Sequence, residues 1–334
     1  MWLFPKAIKP KQLKKKLPNA GAKTAVFYSK DGLLASAQNL QLDFVNQICD
    51  LLREFKYSCI LVDGTSIDAP EFHDEIDFHF WMIERPPVCA ERPEVFHVFP
   101  AYLRGFWYFD KKGVRNNSSL ADRQFTPSRM SQDWSKKVFE DLRARFVETG
   151  LTKFDQSPQG KFTPPPDCIA VAVQSFAQPK FYETYIQYPE LIHAAISASG
   201  GRPVAIKPHP MLNFRTVERL FDLHDPANGI YVEPYNLHEL LSVSHCVVTR
   251  CSAVAVEAML HRVPAVVTGV VDFHHCVKTI THVDQLRPAI EVVADQHIPY
   301  EKFVTWFFTQ QLFQPRNKAK SRERVLDLLG LNQP

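Results

Sequence analysis

No apolar run in this chain approaches the roughly 20 residues that a membrane-spanning helix needs, so no spanning helix is expected. A secretory signal is not expected either, because Pro5, Lys6, Lys9 and Pro10 break up the apolar stretch at the start. The seven cysteines (49, 59, 89, 168, 246, 251 and 276) include no C-x-x-C pair, and most sit inside apolar runs. They read as reduced core thiols of a cytoplasmic protein, and neither a disulfide framework nor a zinc site is expected. There is no repeat of solenoid length and no low-complexity segment. The formal charge of +3 is too small to argue for nucleic acid as a partner.

What is present is the material of a soluble globular protein: 45% hydrophobic residues, 22% charged residues and 25 phenylalanines. A length of 334 residues accommodates two domains. Positive charge gathers at the ends, as Lys6, Lys9, Lys11, Lys14, Lys15 and Lys16 behind Trp2, Leu3 and Phe4, and as Arg316, Lys318, Lys320, Arg322 and Arg324. Such segments are either solvated tails or contacts to an anionic membrane surface.

Residues 1–22 are therefore expected to form a basic tail, and 23–150 an N-terminal α/β domain. Lys23–Tyr28 reads as a strand, followed by the turn Ser29-Lys30-Asp31-Gly32 and a helix from about Leu40 to Phe55. Tyr57–Val62 is a second strand closed by Asp63-Gly64, with further strands at 78–83, 95–99 and 106–109 and a helix over 133–148. Residues 151–166, with three consecutive prolines, read as a linker. From 167 to 299 strands and helices alternate again, which predicts a parallel sheet. Two helical patterns occupy 300–334. The expected fold class is α/β, two doubly wound Rossmann-type domains of the GT-B kind facing a central cleft.

Two motifs carry chemistry. Lys207-Pro208-His209-Pro210 follows one predicted strand, and Thr249-Arg250-Cys251-Ser252-Ala253 follows another and opens a helix. In parallel sheets ligands sit beyond the carboxyl ends of strands. Lysine offers a point charge for phosphate and imidazole a hydrogen bond or a proton. Ser252, placed like an N-cap, would add a hydroxyl and a helix N-terminus. Glu257, surrounded by Val254, Ala255, Val256, Ala258 and Met259, is an acid that needs a partner.

The segments AVAVQS (170–175), IKPHP (206–210), YNLHELLSVSHCVVTRCSAVAVEAML (235–260), VPAVVTG (263–269) and YLRGFWYFDKKGVRNNSSL (102–120) together resemble the capsule polysaccharide synthesis family, which includes bacterial Kdo transferases. The resemblance implies a GT-B glycosyltransferase using a nucleotide sugar, foremost CMP-Kdo, in surface-polysaccharide or lipopolysaccharide assembly. It implies that Lys207 and His209 address the donor phosphate with help from Ser252, that Glu257 holds the ribose, and that Gln174 lines the cleft. Arg250 and Ala253 belong to the same donor-binding set, while Arg104 and Asp110 fall in an acceptor-side segment. The implied partners are a nucleotide sugar and a saccharide or glycolipid acceptor, with peripheral inner-membrane contact through the basic ends. No metal or other cofactor is expected.

The sequence also departs from that family. No carboxylate follows Gln174 in the stretch Gln174-Ser175-Phe176-Ala177-Gln178, and none precedes Tyr102 in Val98-Phe99-Pro100-Ala101. A covalent mechanism through such a carboxylate is not supported, which leaves Asp31 and Asp63 as base candidates, or as ordinary Asp-Gly turns. A CDP-glycerol or ribitol-type polyol-phosphate transferase, and an inactive capsule-assembly protein, remain as alternatives. The acidic string Asp68, Glu71, Asp74, Glu75 and Asp77, with His73 and His79, reads as a solvated loop, and His274-His275 as a weak ligand pair.

Overall fold

The computed structural model describes residues 6–18, 21–39, 41–89, 91–174 and 182–332. Packing divides the chain into a first unit, Met1–Ala101, Gly105–Asp122 and Phe308–Pro334, and a second unit, Tyr102–Arg104 and Arg123–Phe307. The boundary thus lies earlier than residue 151: the helix Gln132–Arg143 belongs with the second unit, and the terminal helix Lys318–Leu329 returns to the first.

In the first unit, β1 (Thr24–Ser29), β2 (Ser58–Asp63), β3 (Phe78–Met82), β4 (Val95–Pro100) and β5 (Trp107–Asp110) form a sheet of order β2-β1-β3-β4-β5. The first four strands run parallel and β5 is antiparallel to β4. Every residue of β1 is buried, as expected of a central parallel strand covered on both faces. The helix Asp43–Glu54 turns Phe44, Val45, Ile48, Cys49, Leu51 and Leu52 into the core. Its expected start at Leu40 lies outside the described residues. Asp31-Gly32 does not make the expected turn. It opens the helix Asp31–Gln38, with Asp31 itself in the left-handed region at φ 51°.

Neither basic end is a tail. Ile8 joins the edge of β2, donating from its N to Leu61 O at 3.0 Å and accepting from Asp63 N at 2.9 Å. Leu13 is fully buried in a cluster with Val26, Tyr28 and Trp81, so Lys11, Lys14, Lys15 and Lys16 line the outer side of a docked segment. Trp2, Leu3 and Phe4 lie outside the described residues. In the terminal helix, Val325 and Leu329 join the same core cluster as Phe44 and Leu51. Arg322 pairs with Glu54 at 2.6 Å, and Arg324 donates to the carbonyls of Gln311 and Leu312 while stacking on Phe313.

In the second unit, β6 (Cys168–Val173), β7 (Val204–Pro208), β8 (Ile230–Val232), β9 (Ser244–Thr249), β10 (Ala265–Val267) and β11 (Lys278–Thr279) make an all-parallel sheet of order β11-β10-β9-β6-β7-β8. β7 runs two residues further than expected, so Lys207 and Pro208 are strand residues and only His209 and Pro210 form the turn. The helix Tyr188–Ser197 begins only after Thr184 has bridged to Gly269 and Tyr185 N has donated to Thr268 O. Gly269 is required at this approach: a Cβ there would sit 2.9 Å from the Glu183 carbonyl oxygen.

The segment 151–166 is not a free linker. Thr152 is buried, Ser157 O accepts from Asn236 Nδ2 at 3.0 Å, and Gly160 N donates to Glu239 Oε1 at 2.7 Å, all within the second unit.

The docked N-terminal segment generates a stability prediction. Leu13→Ala should destabilise the first unit by about 2–5 kcal/mol in denaturant unfolding, the range for emptying a buried leucine site. A change below about 0.5 kcal/mol, as for surface substitutions, would mean that the segment is a tail after all.

Candidate functional site

The strand order of the second unit reverses between β6 and β9: β7 and β8 lie on one side of β6, and β9, β10 and β11 on the other. The loops leaving β6 and β9 therefore diverge and leave a crevice at their carboxyl ends. Side chains tie the strands together there. Thr249 Oγ1 donates to Ala172 O at 2.9 Å, and the Tyr188 hydroxyl donates to the same oxygen at 3.0 Å. His209 N donates to Val173 O at 2.9 Å, and Cys251 Sγ lies 4.0 Å from Gln174 Oε1. Loops from β6, β7 and β9, which carry Gln174, His209 and Arg250-Cys251-Ser252, thus meet at one end of the sheet.

Lys207 is buried, and its Nζ donates to Tyr235 O at 2.6 Å. Burial pushes its pKa down to about 8, opposed by the negative charge of Glu257. Glu257, buried in the short helix Val254–Leu260, is pushed up to about 8 by the same loss of solvent, opposed by the cations Lys153 and Lys207. Burial also lowers the pKa of His209, and the nearby Lys207 and Lys153 lower it further. Its Nδ1 accepts from Met211 N at 3.1 Å, so the neutral ring carries its proton on Nε2. That imidazole is a hydrogen-bond donor with a fixed orientation.

Arg250 is fully buried; it donates to Thr184 Oγ1 at 3.1 Å and its guanidinium lies 4.9 Å from the Tyr188 ring centroid. It organises the floor of the site. Ser252 sits one position before the N-cap, which is Ala253, and its hydroxyl accepts from Val254 N at 3.3 Å. One amide of the helix start is thereby satisfied within the chain, and the Ser252 hydroxyl keeps its own proton to donate.

Of the remaining candidates, Arg104 lies in the second unit, and Asp31, Asp63 and Asp110 lie in the first. Arg104 belongs to the second unit but is exposed, donating to Lys153 O at 3.0 Å. Asp110, in the first unit, is a loop organiser: Oδ1 accepts from the backbone N of Lys112, Gly113 and Ser119, and Oδ2 from Ser119 Oγ at 2.5 Å. Asp63 accepts from Lys9 Nζ, Thr65 N and Thr65 Oγ1, and the lysine above all holds its carboxyl down at about 2. A carboxylate so stabilised in its charged form is a weaker proton acceptor, which disfavours Asp63 as the base. Asp31 is exposed at the end of β1, 3.7 Å from Lys30 Nζ.

Asp77 in the acidic string accepts from Thr24 N at 2.7 Å, and Asp68 is paired with Arg85. Among the described residues no cluster of three or more His, Cys, Asp or Glu is arranged to hold a metal. His274 and His275 stack at 4.0 Å, and His275 Nε2 lies 2.9 Å from Arg123 O within an aromatic cluster of Phe125, Phe303 and Trp306. His275 is packed in that cluster, and His274 is exposed beside it.

The sequence pattern did not reveal Tyr188, Thr184, Lys153 or Phe154. The first two are an aromatic and a hydroxyl whose place depends on which strand they abut. The last two stand in a segment whose prolines mark it as irregular, although Phe154 packs on His209 at 4.7 Å between ring centroids.

A scan of the sequence against protein-family models gives no match, and a comparison with curated proteins gives none either. Solved structures do match. A β-Kdo 2,4 transferase part of KpsC from Thermosulfurimonas dismutans aligns at a TM-score of 0.51 and 13% identity, covering 92% of this chain and 98% of that one. The β-Kdo 2,7 transferase part of the same protein aligns at 0.47 and 12%, covering 93% and 100%. MnaA from S. aureus, solved with UDP, aligns at 0.41 and 13%, covering 93% and 99%. The chain has a two-unit α/β fold of the GT-B glycosyltransferase kind, shared with the first of these.

The buried acid yields a pH prediction. Glu257 titrates near 8 in the folded chain, above its ordinary 4.5, so it favours folding fully below about pH 4.5 and loses that contribution as pH rises through 8. The unfolding free energy of Glu257→Gln minus that of the wild type should therefore rise between pH 5 and 8 in denaturant titrations. A difference that stays flat over that range would remove the acid as a source of pH dependence.

Proposed function

We propose that the chain is a nucleotide-sugar-dependent glycosyltransferase whose second unit binds the donor, foremost CMP-Kdo, and which acts on a saccharide or glycolipid acceptor in bacterial surface-polysaccharide assembly. The observation that carries this reading is the meeting of Gln174, His209 and the Arg250–Ser252 loop where the strand order reverses. Kdo as the donor sugar rests on the motif resemblance and on the β-Kdo transferase activity of the aligned KpsC structure.

In this reading the departing phosphate receives the Nε2 proton of His209 as a hydrogen bond and the Ser252 hydroxyl as a second donor. Lys207, held by Tyr235 O, supplies a nearby positive charge that burial leaves poorly screened. Glu257, predominantly protonated at neutral pH, both donates and accepts, which suits a ribose diol. These groups are fixed before the ligand arrives, so catalysis is electrostatic stabilisation of the leaving group. No metal is called for in this scheme. Of the two carboxylates considered as the base, Asp31 is the one retained. Contact with an anionic membrane would use the face bearing Lys11, Lys14, Lys15 and Lys16, each close charge adding roughly 1 kcal/mol.

A polyol-phosphate transferase would share this anion site, and the missing carboxylate after Gln174 leaves open a donor other than the family's usual one. That reading predicts attack at phosphorus instead of at an anomeric carbon. Offering CMP-Kdo and CDP-glycerol in parallel, with mass analysis of the products, separates the two. In the productive reaction His209→Ala should lower turnover by about 10²–10³-fold with the melting temperature preserved, the scale of losing a key charge-stabilising donor. Near-normal turnover in that variant would remove His209 from the mechanism, and transfer from neither donor would count against both readings.

A further inference from the structure

Residues 152–157 differ from a linker in how their backbone is held. Thr152 Oγ1 donates to Phe154 O at 2.6 Å, and Gln156 Nε2 donates to the same oxygen at 2.9 Å. Arg104 donates to Lys153 O at 3.0 Å, and Asn236 Nδ2 donates to Ser157 O at 3.0 Å. Four side-chain donors thus fix three consecutive or near-consecutive carbonyls, which sets the direction in which the side chains of Lys153 and Phe154 leave the backbone. All these partners lie in the second unit.

Phe154 is 37% exposed, so its place is not explained by burial alone. Its ring meets His209 edge to face, with centroids 4.7 Å apart and an interplanar angle of 74°. Together with the Met211 N–H on Nδ1, this leaves the imidazole little freedom to turn about its χ angles. The Lys153 ammonium lies 5.9 Å from the Phe154 ring centroid, and its positive charge acts on both His209 and Glu257. Lys207 acts on the same two groups from a buried position. Lys153 is only half-buried and so is the more accessible cation of the pair.

We infer that residues 152–157 are a fixed wall of the donor-nucleotide site, in which Phe154 positions the His209 imidazole and Lys153 supplies a cation for the nucleotide phosphate. The inference rests on the reading of this end of the sheet as the donor site, and it extends that site into a segment whose composition marks it as a spacer. A phosphate held between Lys153 and the Nε2 proton of His209 would be bound by two groups whose backbones are both immobilised, so little ordering entropy opposes binding.

The test has two readouts on the whole chain, with thermal melts confirming that each variant folds. The first is the His209 titration midpoint in unliganded protein, followed by its imidazole NMR resonances. Lys153→Gln should raise it by removing a neighbouring cation, Lys153→Arg should leave it in place, and Phe154→Ala should raise it by admitting water. The second is calorimetric binding of CMP and CDP. Lys153→Gln should weaken binding by about threefold to thirtyfold, with most affinity retained in Lys153→Arg, and Phe154→Ala should weaken it more than Phe154→Leu.

If the wild type binds a nucleotide, His209→Ala loses it, and the Lys153 and Phe154 variants change neither midpoint nor affinity, the inference is overturned while the donor site stands. A wild type that binds neither nucleotide overturns the donor reading and this wall with it.

Discussion

The reversal of strand order beside β6 is the constraint on which the rest of the second unit depends. Because β7 lies on one side of β6 and β9 on the other, the chain leaving each strand must travel away from its neighbour, and a gap opens over Val173. The fold does not leave that gap unsupported. Ala172 O accepts hydrogen bonds from both Thr249 and Tyr188, and the Tyr188 ring in turn carries the Arg250 guanidinium. Under the crevice there is thus a layer of interlinked polar groups on an apolar sheet, and the loops above it inherit their positions from that layer.

Burial at this spot explains the electrostatics. Lys207 occupies the fourth position of a five-residue strand that is buried throughout, and strand alternation is no help when both faces are covered. A lysine in that position loses solvent whichever way it points, and Tyr235 O is the compensation it finds. Glu257 is forced inward by its apolar neighbours in a helix of seven residues. Glu257 and Lys207 then moderate one another's pKa shifts. A site of this kind is costly to the fold, and such costs concentrate where chemistry is done.

Much of this was legible in the sequence. Runs such as Cys168–Val173 and Cys246–Val248 are too apolar and too β-branched to be anything but interior strands, so the motifs behind them could be placed at strand ends. The helix starts were less legible, since Ser252 looks like an N-cap and lies one residue too early. Asp31-Gly32 has turn composition, yet it begins a helix from a left-handed aspartate. Both basic ends looked like tails because charge dominates their composition. Their docking hangs on single apolar residues, Ile8 and Leu13 at one end and Val325 and Leu329 at the other, and whether one leucine finds a cavity is a tertiary matter.

The segment 151–166 shows the same limit from another side. Proline and glycine report that a stretch cannot continue a helix or a ladder; they say nothing of whether its carbonyls are bonded. Here they are, to Asn236, Arg104 and side chains of the segment itself, and an irregular stretch held in this way is as well placed as a strand. It brings a second cation to the surroundings of His209, beside Lys207. Lys153 lies close enough to depress the imidazole's pKa, and a charge that disfavours protonation of His209 is the same charge that attracts an anion to its Nε2 proton. In the proposed donor site the neutral histidine and the neighbouring lysine would form one arrangement: the cation would draw the phosphate in, and the imidazole, kept uncharged, would give it a directed hydrogen bond.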